Sequence, residues 1–223
     1  MRYIDEIING KPIQYITNEQ EFMKLNFYVD ENVLIPQPDT EILVEKVIND
    51  FKYKEVKILD LCTGSGVIAI SLAKYINRSK IFATDISNKA IQIAKLNAEK
   101  NLVHKKIEFI LSDMFKNINE DKYDVIVSNP PYIKTEVIKT LDKQVKHEPI
   151  LALDGGIDGL NFYKIIAENA YKFLNNRGKI YLEIGYDQKD QVIELLKNTL
   201  KYKDIICIKD LNLNDRVVIA SKK

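Results

Sequence analysis

Residues 56–66 read VKILDLCTGSG, an apolar run that ends in an acid and leads directly into a glycine-rich turn. The run predicts a buried strand, and IAISLAKYI after the turn predicts a helix. Gly64 and Gly66 allow a ligand to approach the backbone at the strand's carboxyl end, where open α/β sheets bind ligands. The turn lacks the third glycine of G-x-G-x-x-G, and no Gly-Lys-Ser/Thr follows it. It therefore favours a nucleoside ligand without a phosphate chain.

Strands and helices alternate along the rest of the chain. Runs of apolar residues predict strands, and apolar residues at helical spacing predict helices. The predicted strands after the first are 80–85, 106–111, 123–128, 179–184, 204–208 and 216–220, and the predicted helices include 87–100, 161–175 and 187–199. This order predicts an α/β fold with a mostly parallel, seven-stranded sheet and helices on both faces. The last two strands have no clear helix between them, so one of them is expected to pair antiparallel.

The amino-terminal part follows a different pattern. Apolar residues at helical spacing predict a short helical stub over residues 2–9. Two short strands of a β-hairpin are predicted at Gln14–Ile16 and Leu25–Val29. We therefore divide the chain into a stub and hairpin region, residues 1–36, and a main domain, residues 37–223.

Two segments next to the predicted sheet have distinct features. After two prolines, Asp39 or Thr40 is expected to cap a helix that carries apolar residues along one face. Residues 129–160 form a long stretch without a clear repeat of apolar residues. Long ordered loops in compact domains are usually functional, so this stretch is expected to border the site.

Composition excludes several classes of protein. The 223 residues are 46% apolar and carry a net charge of +1, whereas proteins that hold nucleic acid through its phosphates usually have a larger basic excess. Two distant cysteines and two histidines form no metal-binding pattern, so no metal site is expected. No apolar run is long enough to span a bilayer. We expect a cytoplasmic, monomeric protein that binds neither membrane nor nucleic acid directly.

Two more strands also end in acids. Asp85 could accept hydrogen bonds from both ribose hydroxyls, and Asp113 could accept one from an adenine amino group, with Met114 or Phe115 covering the ring. Taken singly, each signal has a structural alternative: Asp85 could cap the following helix, and the two apolar side chains could belong to the core. Three acid-ended strands in order, with glycines after the first, resemble the class I S-adenosylmethionine-dependent methyltransferase fold.

The sequence Ser128-Asn-Pro-Pro-Tyr132 follows the fourth strand directly. Pro130 and Pro131 fix the backbone and stiffen Asn129, which presents its carboxamide oxygen beside the carbonyl of Pro130. These two acceptors suit the two hydrogens of a planar NH2 group, and Tyr132 can stack on the group that bears it. An amide nitrogen is a poor nucleophile, so acceptors that stabilise its developing positive charge accelerate methyl transfer. A rigid proline turn without chemistry is the structural alternative.

Asn-Pro-Pro-Tyr in this position resembles three groups of methyltransferases, which act on adenine N6, guanine N2 or glutamine N5. The flanking motifs select among them, because together they resemble the HemK family of release factor glutamine methyltransferases over nearly the whole chain. These motifs are Gly10–Ile16, Leu34–Glu41, His147–Leu153, Gly155–Leu160, Leu182–Gly185 with Gln188, and Asp215–Val218. The resemblance implies methylation of the glutamine N5 in the Gly-Gly-Gln motif of peptide chain release factors, with S-adenosylmethionine as cofactor.

Roles for individual residues come from the motifs and this resemblance together. The expected cofactor-binding residues are Cys62, Thr63, Gly64, Ser65, Gly66, Asp85, Asp113, Met114 and Asn129. The residues expected to hold the glutamine are Asn129, Pro130, Pro131 and Tyr132, of which Asn129, Pro130 and Tyr132 are the predicted catalytic groups. The Pro36-Gln37-Pro38 loop and the Glu148-Pro149 region are expected to border the pocket, although Glu148 could also be an ordinary solvated carboxylate.

The sequence departs from the family pattern at four places. The family commonly has Gly at the position of Cys62, so the backbone there is expected to avoid angles that only glycine adopts. It commonly has Arg at the position of Gln37, and an aromatic residue at that of Met114, which can still pack on an adenine ring. Members usually begin with a small helical domain, whereas this chain begins near the last turn of one. We expect weaker docking on release factor with an intact pocket.

Two competing functions remain open at the level of sequence. The first is an adenine-N6 or guanine-N2 methyltransferase acting on nucleic acid. No segment resembles a target-recognition domain, and a base in a duplex would have to be flipped out. The second is a binding module that keeps the cofactor pocket without catalysis, which the intact Asn129–Tyr132 motif disfavours.

Overall fold

A short helix and a two-stranded hairpin precede the main sheet in the computed structural model, which describes residue 6, residues 8–119 and residues 122–223. The helix α1 spans Ile13–Thr17, and the antiparallel strands β1 and β2 span Glu19–Phe22 and Leu25–Tyr28. The helical stub predicted over residues 2–9 lies largely outside the described residues.

The strand predicted at Gln14–Ile16 is wrong, because these residues belong to α1. Pro12 precedes this helix with its φ near −56°, and Asn18 ends it in the left-handed region at a φ of 56°. A run of three residues is compatible with either element, and here the proline and the left-handed asparagine select a single helical turn. The other hairpin strand, predicted at Leu25–Val29, is confirmed by β2.

Seven strands form the main sheet and confirm the predicted α/β class. They are β3 (Val56–Leu61), β4 (Ser79–Asp85), β5 (Ile107–Leu111), β6 (Tyr123–Ser128), β7 (Leu174–Glu183), β8 (Tyr202–Lys209) and β9 (Asp215–Lys222). Their order in the sheet is β5-β4-β3-β6-β7-β9-β8. Neighbours from β5 to β7 pair in parallel, whereas β9 pairs antiparallel with both β7 and β8. This confirms the antiparallel strand expected near the end of the chain.

Helices cover both faces of the sheet. They are α2 (Asp39–Phe51), α3 (Val67–Tyr75), α4 (Asn88–Lys100), α5 (Thr135–Ile138), α6 (Ile150–Leu153), α7 (Asn161–Phe173) and α8 (Lys189–Asn198). The helices α2, α3 and α4 share one buried core with the sheet, and α7 and α8 share the other. Successive strand residues alternate between these cores, as Ile58 and Leu59 do. The chain reverses direction across the sheet at β3, which places a ligand crevice at that strand's carboxyl end.

The cap predicted for α2 is wrong. Pro38 occupies the N-cap position, and no side chain makes a capping hydrogen bond there. Asp39 instead pairs with Arg216 at 3.1 Å, and the Thr40 hydroxyl accepts a hydrogen bond from the side chain of Asn129. Tertiary partners have therefore taken both side chains away from the end of their own helix.

The long segment after β6 is more regular than the sequence indicated. It contains α5, α6 and a 3-10 turn at Val145–His147. Ile133 and Asp154 form a parallel bridge, and the Gly155 N–H donates to the Ile133 carbonyl at 2.8 Å. These bonds fold the segment back over the carboxyl end of the sheet. No helix in the described part of the chain is long and apolar enough to cross a membrane.

Candidate active site

A cavity of about 280 Å³ opens at the carboxyl ends of β3, β4, β5 and β6. Parallel strands bring their carboxyl ends to one edge of a sheet, so residues that are far apart in sequence meet here. The predicted cofactor-binding residues that line this cavity are Cys62, Asp85, Asp113, Met114 and Asn129. Its walls also contain Pro131 and several apolar side chains, and no Lys or Arg of the described residues lines it.

The turn after β3 supports the cavity without lining it. Thr63, Gly64, Ser65 and Gly66 are absent from the lining residues, although Gly64 donates its N–H to Asp85 at 2.9 Å. Gly66 has a φ of 87°, and a Cβ there would lie 3.3 Å from the Cα of Ala94 on α4. This glycine therefore lets α3 and α4 approach each other closely.

Asp85 is held between two backbone donors. One carboxylate oxygen accepts from the Gly64 N–H and the other from the Ser87 N–H, each at 2.9 Å. The cap of α4 is Ser87, whose hydroxyl accepts from the Ala90 N–H at 3.2 Å. Asp85 therefore is not the cap of α4, and it lines the cavity with both carboxylate oxygens held by backbone donors. Burial raises the pKa of Asp85, against the opposing effect of these backbone bonds.

Asp60 at the end of β3 is a buried support that sequence reasoning identified only as a strand-ending acid. It accepts from the Thr63 hydroxyl at 2.6 Å, and its Oδ1 has no hydrogen-bond partner among the described residues. Burial raises the pKa of Asp60 to about 7, and the bond from Thr63 opposes this shift. The Asp60 carboxyl group therefore holds the turn after β3 in place through its bond with Thr63.

Cys62 and Met114 both line the cavity, and their sulfur atoms are in contact at 3.7 Å. Cys62 has a φ of 59° and Met114 a φ of 50°, so both lie in the left-handed region, which favours glycine but which other residues can adopt. A non-glycine residue in this region carries a strain of about 1–2 kcal/mol. Phe115 stacks on Phe173 at 4.9 Å and does not line the cavity. Of the two residues predicted to cover the adenine ring, Met114 is therefore the one that lies beside a ligand. Asp113 lines the cavity and pairs with its neighbour Lys116 at 2.6 Å.

A second cavity, of about 260 Å³, adjoins the first. Its lining includes Pro130, Tyr132, Glu148 and Glu183. Asn129 lines both cavities, and so do two apolar residues beside it. A group bound in one cavity and a group bound in the other would therefore meet at Asn129, which is the geometry that a transfer reaction needs.

The Asn129–Tyr132 segment is held by side-chain hydrogen bonds with two distant residues, Thr40 and Gln188. The Asn129 amide nitrogen donates to the Thr40 hydroxyl at 3.1 Å. The Tyr132 carbonyl accepts from the Gln188 side chain at 3.0 Å, and that amide also donates to the Gly159 carbonyl at 3.2 Å. Burial raises the pKa of the Tyr132 hydroxyl, and the nearby Glu183 charge adds to this effect. Tyr132 is therefore a neutral aromatic wall of the second cavity.

The two border regions named from sequence lie where they were expected. Gln37 and Glu148 line the second cavity and Pro149 lines the first. Glu148 is 7% exposed and accepts from the Ile35 N–H at 2.9 Å, so it is not a solvated surface carboxylate. Burial raises the pKa of Glu148, and the bond from Ile35 opposes this shift. The Gln37 side chain donates to the Ile35 carbonyl within its own loop.

Glu183 and Arg216 belong to the site, although the sequence identified them only as parts of motifs. Glu183 is 1% exposed, and its Oε2 has no hydrogen-bond partner among the residues that the structure describes. Burial raises the pKa of Glu183 to about 7, whereas bonds with Thr40 and Asn129 and the charge of Arg216 lower it. Arg216 pairs with Asp39 and Asp210, each at 3.1 Å. The signal that could have found Glu183 is an acid directly after the apolar residues Ile180–Leu182, at the carboxyl end of β7.

Comparison with known proteins agrees with this arrangement. Residues 37–151 match the family described as Methyltransferase small domain. The release factor glutamine methyltransferase of Clostridium botulinum is 45% identical over 98% of this chain and 78% of its own length. That of Clostridium acetobutylicum is 41% identical with the same coverage. The chain belongs to the release factor glutamine methyltransferase family. A methyltransferase from Pyrococcus furiosus shares the fold, with a TM-score of 0.67, 21% identity, and coverage of 99% of this chain and 98% of its own.

S-adenosylmethionine is the cofactor of this methyltransferase chain. The first cavity fits it chemically. Its lining contains acids, including Asp85 and Asp113, and no basic side chain from residues 6, 8–119 and 122–223, which suits a sulfonium cation with a free amino group. A phosphate-bearing nucleotide would instead require cationic or backbone N–H partners for its phosphates. The turn after β3 directs one such N–H at Asp85, so that donor is already occupied.

Proposed function

We propose that this chain transfers a methyl group from S-adenosylmethionine to the N5 amide nitrogen of the glutamine in the Gly-Gly-Gln motif of peptide chain release factors. The names of its relatives support this protein substrate. The observation that carries the chemistry is the meeting of two cavities at Asn129. One cavity suits the cofactor, and the other has the size and acceptors for a side-chain amide.

The Asn129–Tyr132 segment orients the attacking nitrogen in this proposal. The Asn129 Oδ1 and the Pro130 carbonyl each accept one hydrogen of the glutamine NH2, and the Tyr132 ring packs on the planar amide, with Pro131 fixing the turn. When bound, S-adenosylmethionine supplies an electrophilic methyl group on a sulfonium. The methyl group would pass to the amide nitrogen, the electron pair of the S–C bond would stay on sulfur as S-adenosylhomocysteine leaves, and the nitrogen would lose one proton to water. Acceptors held in place stabilise the positive charge that develops on nitrogen.

The cofactor is held by residues of the first cavity in the same proposal. Asp85 accepts from the ribose hydroxyls, Met114 packs against the adenine ring and Asp113 accepts from its amino group. Cys62 lines the same cavity, and residues 63–66 support it from behind, where the Gly64 N–H orients Asp85. The two backbone bonds that orient Asp85 support its role.

The organisation and setting of the chain complete the proposal. A boundary between residues 1–36 and 37–223 is supported by a family match that starts at residue 37. The net charge of +1 supports a protein substrate without direct contact to nucleic acid. Two free cysteines, Cys62 and Cys207, fit a reducing cytoplasm.

The test is methyl transfer from labelled cofactor to purified release factor, with the label mapped by mass spectrometry. Asn129→Ala should abolish the label on the Gly-Gly-Gln glutamine. The matched control is Asn49→Ala on the exposed side of α2, which should retain it. Label in ribosomal RNA or DNA but not in release factor would establish the nucleic-acid alternative. Cofactor binding without transfer to either class of substrate would indicate a binding module.

A further inference from the structure

The Asn129 carboxamide can perform its proposed role in only one of two orientations. Its oxygen accepts a hydrogen from the substrate NH2, whereas its nitrogen would present two hydrogens to that NH2 and repel it. A side-chain amide can rotate by half a turn with little change of shape. The reaction therefore needs protein groups that hold the nitrogen away from the substrate. This inference rests on the proposed function of the site.

Two buried groups lie beside Asn129, and one of them, Thr40, contacts its nitrogen. The Thr40 hydroxyl on α2 is 2% exposed and accepts from the Asn129 nitrogen at 3.1 Å. A hydroxyl that accepts one hydrogen bond still has its own hydrogen to donate. Glu183, at the end of β7, lines the same cavity as Asn129 and is 1% exposed. Its Oε2 is a buried acceptor without a partner among the described residues.

We propose that Thr40 and Glu183 are positioning residues that fix the Asn129 carboxamide with its nitrogen turned into the protein and its oxygen turned toward the substrate. An ionised carboxylate has no hydrogen to donate, so only the nitrogen of Asn129 can face it favourably. The Thr40 hydroxyl, which accepts from the Asn129 nitrogen, favours the same orientation of the amide. A purely structural role would not need a charge, since an apolar side chain in place of a buried ion is often neutral or stabilising.

Protonation of Glu183 should weaken this restraint. The charged and titratable groups that face it are Arg216 on β9, Asp39 on α2, Tyr132 after β6 and Tyr163 on α7. Burial raises the pKa of Glu183 to about 7 despite the Arg216 charge and the bonds with Thr40 and Asn129. Above this pKa the carboxylate only accepts, and below it the acid can donate to the Asn129 oxygen. Methyl transfer should therefore rise with pH through the neutral range.

Kinetics of matched variants test the proposal. Thr40→Val keeps the shape but removes the hydroxyl, and should lower kcat by roughly 10²-fold with little change in release factor KM or cofactor affinity. Thr40→Ser should recover most of that loss. Glu183→Gln should lower kcat and remove the rise with pH, whereas Glu108→Gln, an exposed acid on β5, should leave the profile intact. Wild-type kcat and pH profile in both Thr40→Val and Glu183→Gln would overturn the proposal.

An NMR measurement separates this inference from the proposed substrate. The side-chain amide signals of Asn129 in the cofactor-bound protein should titrate once in the neutral range and exchange slowly with solvent. Glu183→Gln should remove the titration, and Thr40→Val should speed the exchange. If these NMR results are obtained but the wild-type protein leaves release factor unmethylated, the proposed substrate is refuted and the positioning role of Thr40 and Glu183 stands. If the titration and solvent exchange of the Asn129 amide are the same in both variants as in the wild type, the positioning role of Thr40 and Glu183 is refuted, whatever the substrate is.

Discussion

Replacing Gly155 by alanine is expected to slow methyl transfer by displacing the backbone that presents the substrate-binding acceptors. Gly155 lies at the far end of the long segment after β6 and packs against Pro131 and Tyr132. A Cβ at this position would lie 2.7 Å from the Tyr132 Cα and 2.9 Å from the Pro131 carbonyl oxygen. Both contacts are with backbone, so no side chain can rotate to relieve them.

The size of the effect follows from these distances. Ordinary contact of a Cβ begins at 3.4 Å, so the Tyr132 backbone must move by about 0.7 Å. Overpacking of this kind reduces stability by about 1–3 kcal/mol. A misplacement near 1 Å in a reacting geometry lowers the rate by about 10²-fold, so we expect a loss of kcat between roughly 10-fold and 100-fold. Cofactor affinity should change little, because Gly155 does not line the cofactor cavity.

Single-turnover methyl transfer and calorimetric titration of the cofactor measure the two quantities separately. The control is Ile157→Ala, two residues away and 90% exposed, which should leave single-turnover transfer at saturating release factor close to the wild-type rate. A Gly155→Ala protein with a wild-type single-turnover rate would refute the claim that the backbone position of Tyr132 limits transfer. Equal losses of rate and of cofactor affinity would point instead to a general disturbance of the fold.

Asp85→Asn should weaken cofactor binding, measured by calorimetry, about 10-fold or more. The NH2 group of the new amide would point at one of the two backbone donors, the Gly64 or the Ser87 N–H, and leave it without an acceptor. Unchanged affinity would contradict the proposed ribose contact. Gln188→Ala removes bonds to the Tyr132 carbonyl and two glycines, and should reduce the free energy of unfolding by roughly 1–3 kcal/mol in urea titrations. An unchanged midpoint would show that those bonds add nothing. Burial raises the pKa of Asp60 from 3.8 to about 7. The native state then keeps a proton that the unfolded chain loses, so this contribution to stability is present below about pH 4 and is lost as pH rises toward 7. Asp60→Asn should flatten the curve of unfolding free energy against pH between about pH 4 and pH 7. An unaltered slope there would mean that other groups cause the pH dependence.

Local pattern was sufficient where an element is long and its residues repeat. The strands β3, β4 and β6 and the helices α4 and α7 lie within a few residues of their predicted bounds, because the alternation of apolar residues records which face is buried. It failed at Gln14–Ile16, where three residues carry too little periodicity to distinguish a strand from a turn of helix. It also failed at Asp39 and Thr40, whose side chains have distant partners.

The candidate site shows the same division. The Asn129–Tyr132 motif and the acids at the strand ends could be found from sequence, because each lies next to an apolar strand whose carboxyl end faces the ligand crevice. Glu183 gained a role only when β7 was seen to end beside Asn129 in one cavity. The sequence left open whether Glu148 is a solvated surface carboxylate. The structure excludes this, because Glu148 accepts a hydrogen bond from the Ile35 N–H, 113 positions away.

The sequence by itself determined the α/β class, the acids at the strand ends that suit a nucleoside ligand, and the motif proposed to accept an amide NH2. These features depend on neighbours in the chain, so spacing and residue type record them. Tertiary structure alone decided which way the Asn129 amide is held, because Thr40, its partner, is 89 positions away. It also decided which carboxyl groups are desolvated, since burial depends on everything that packs around a group and not on its neighbours in sequence.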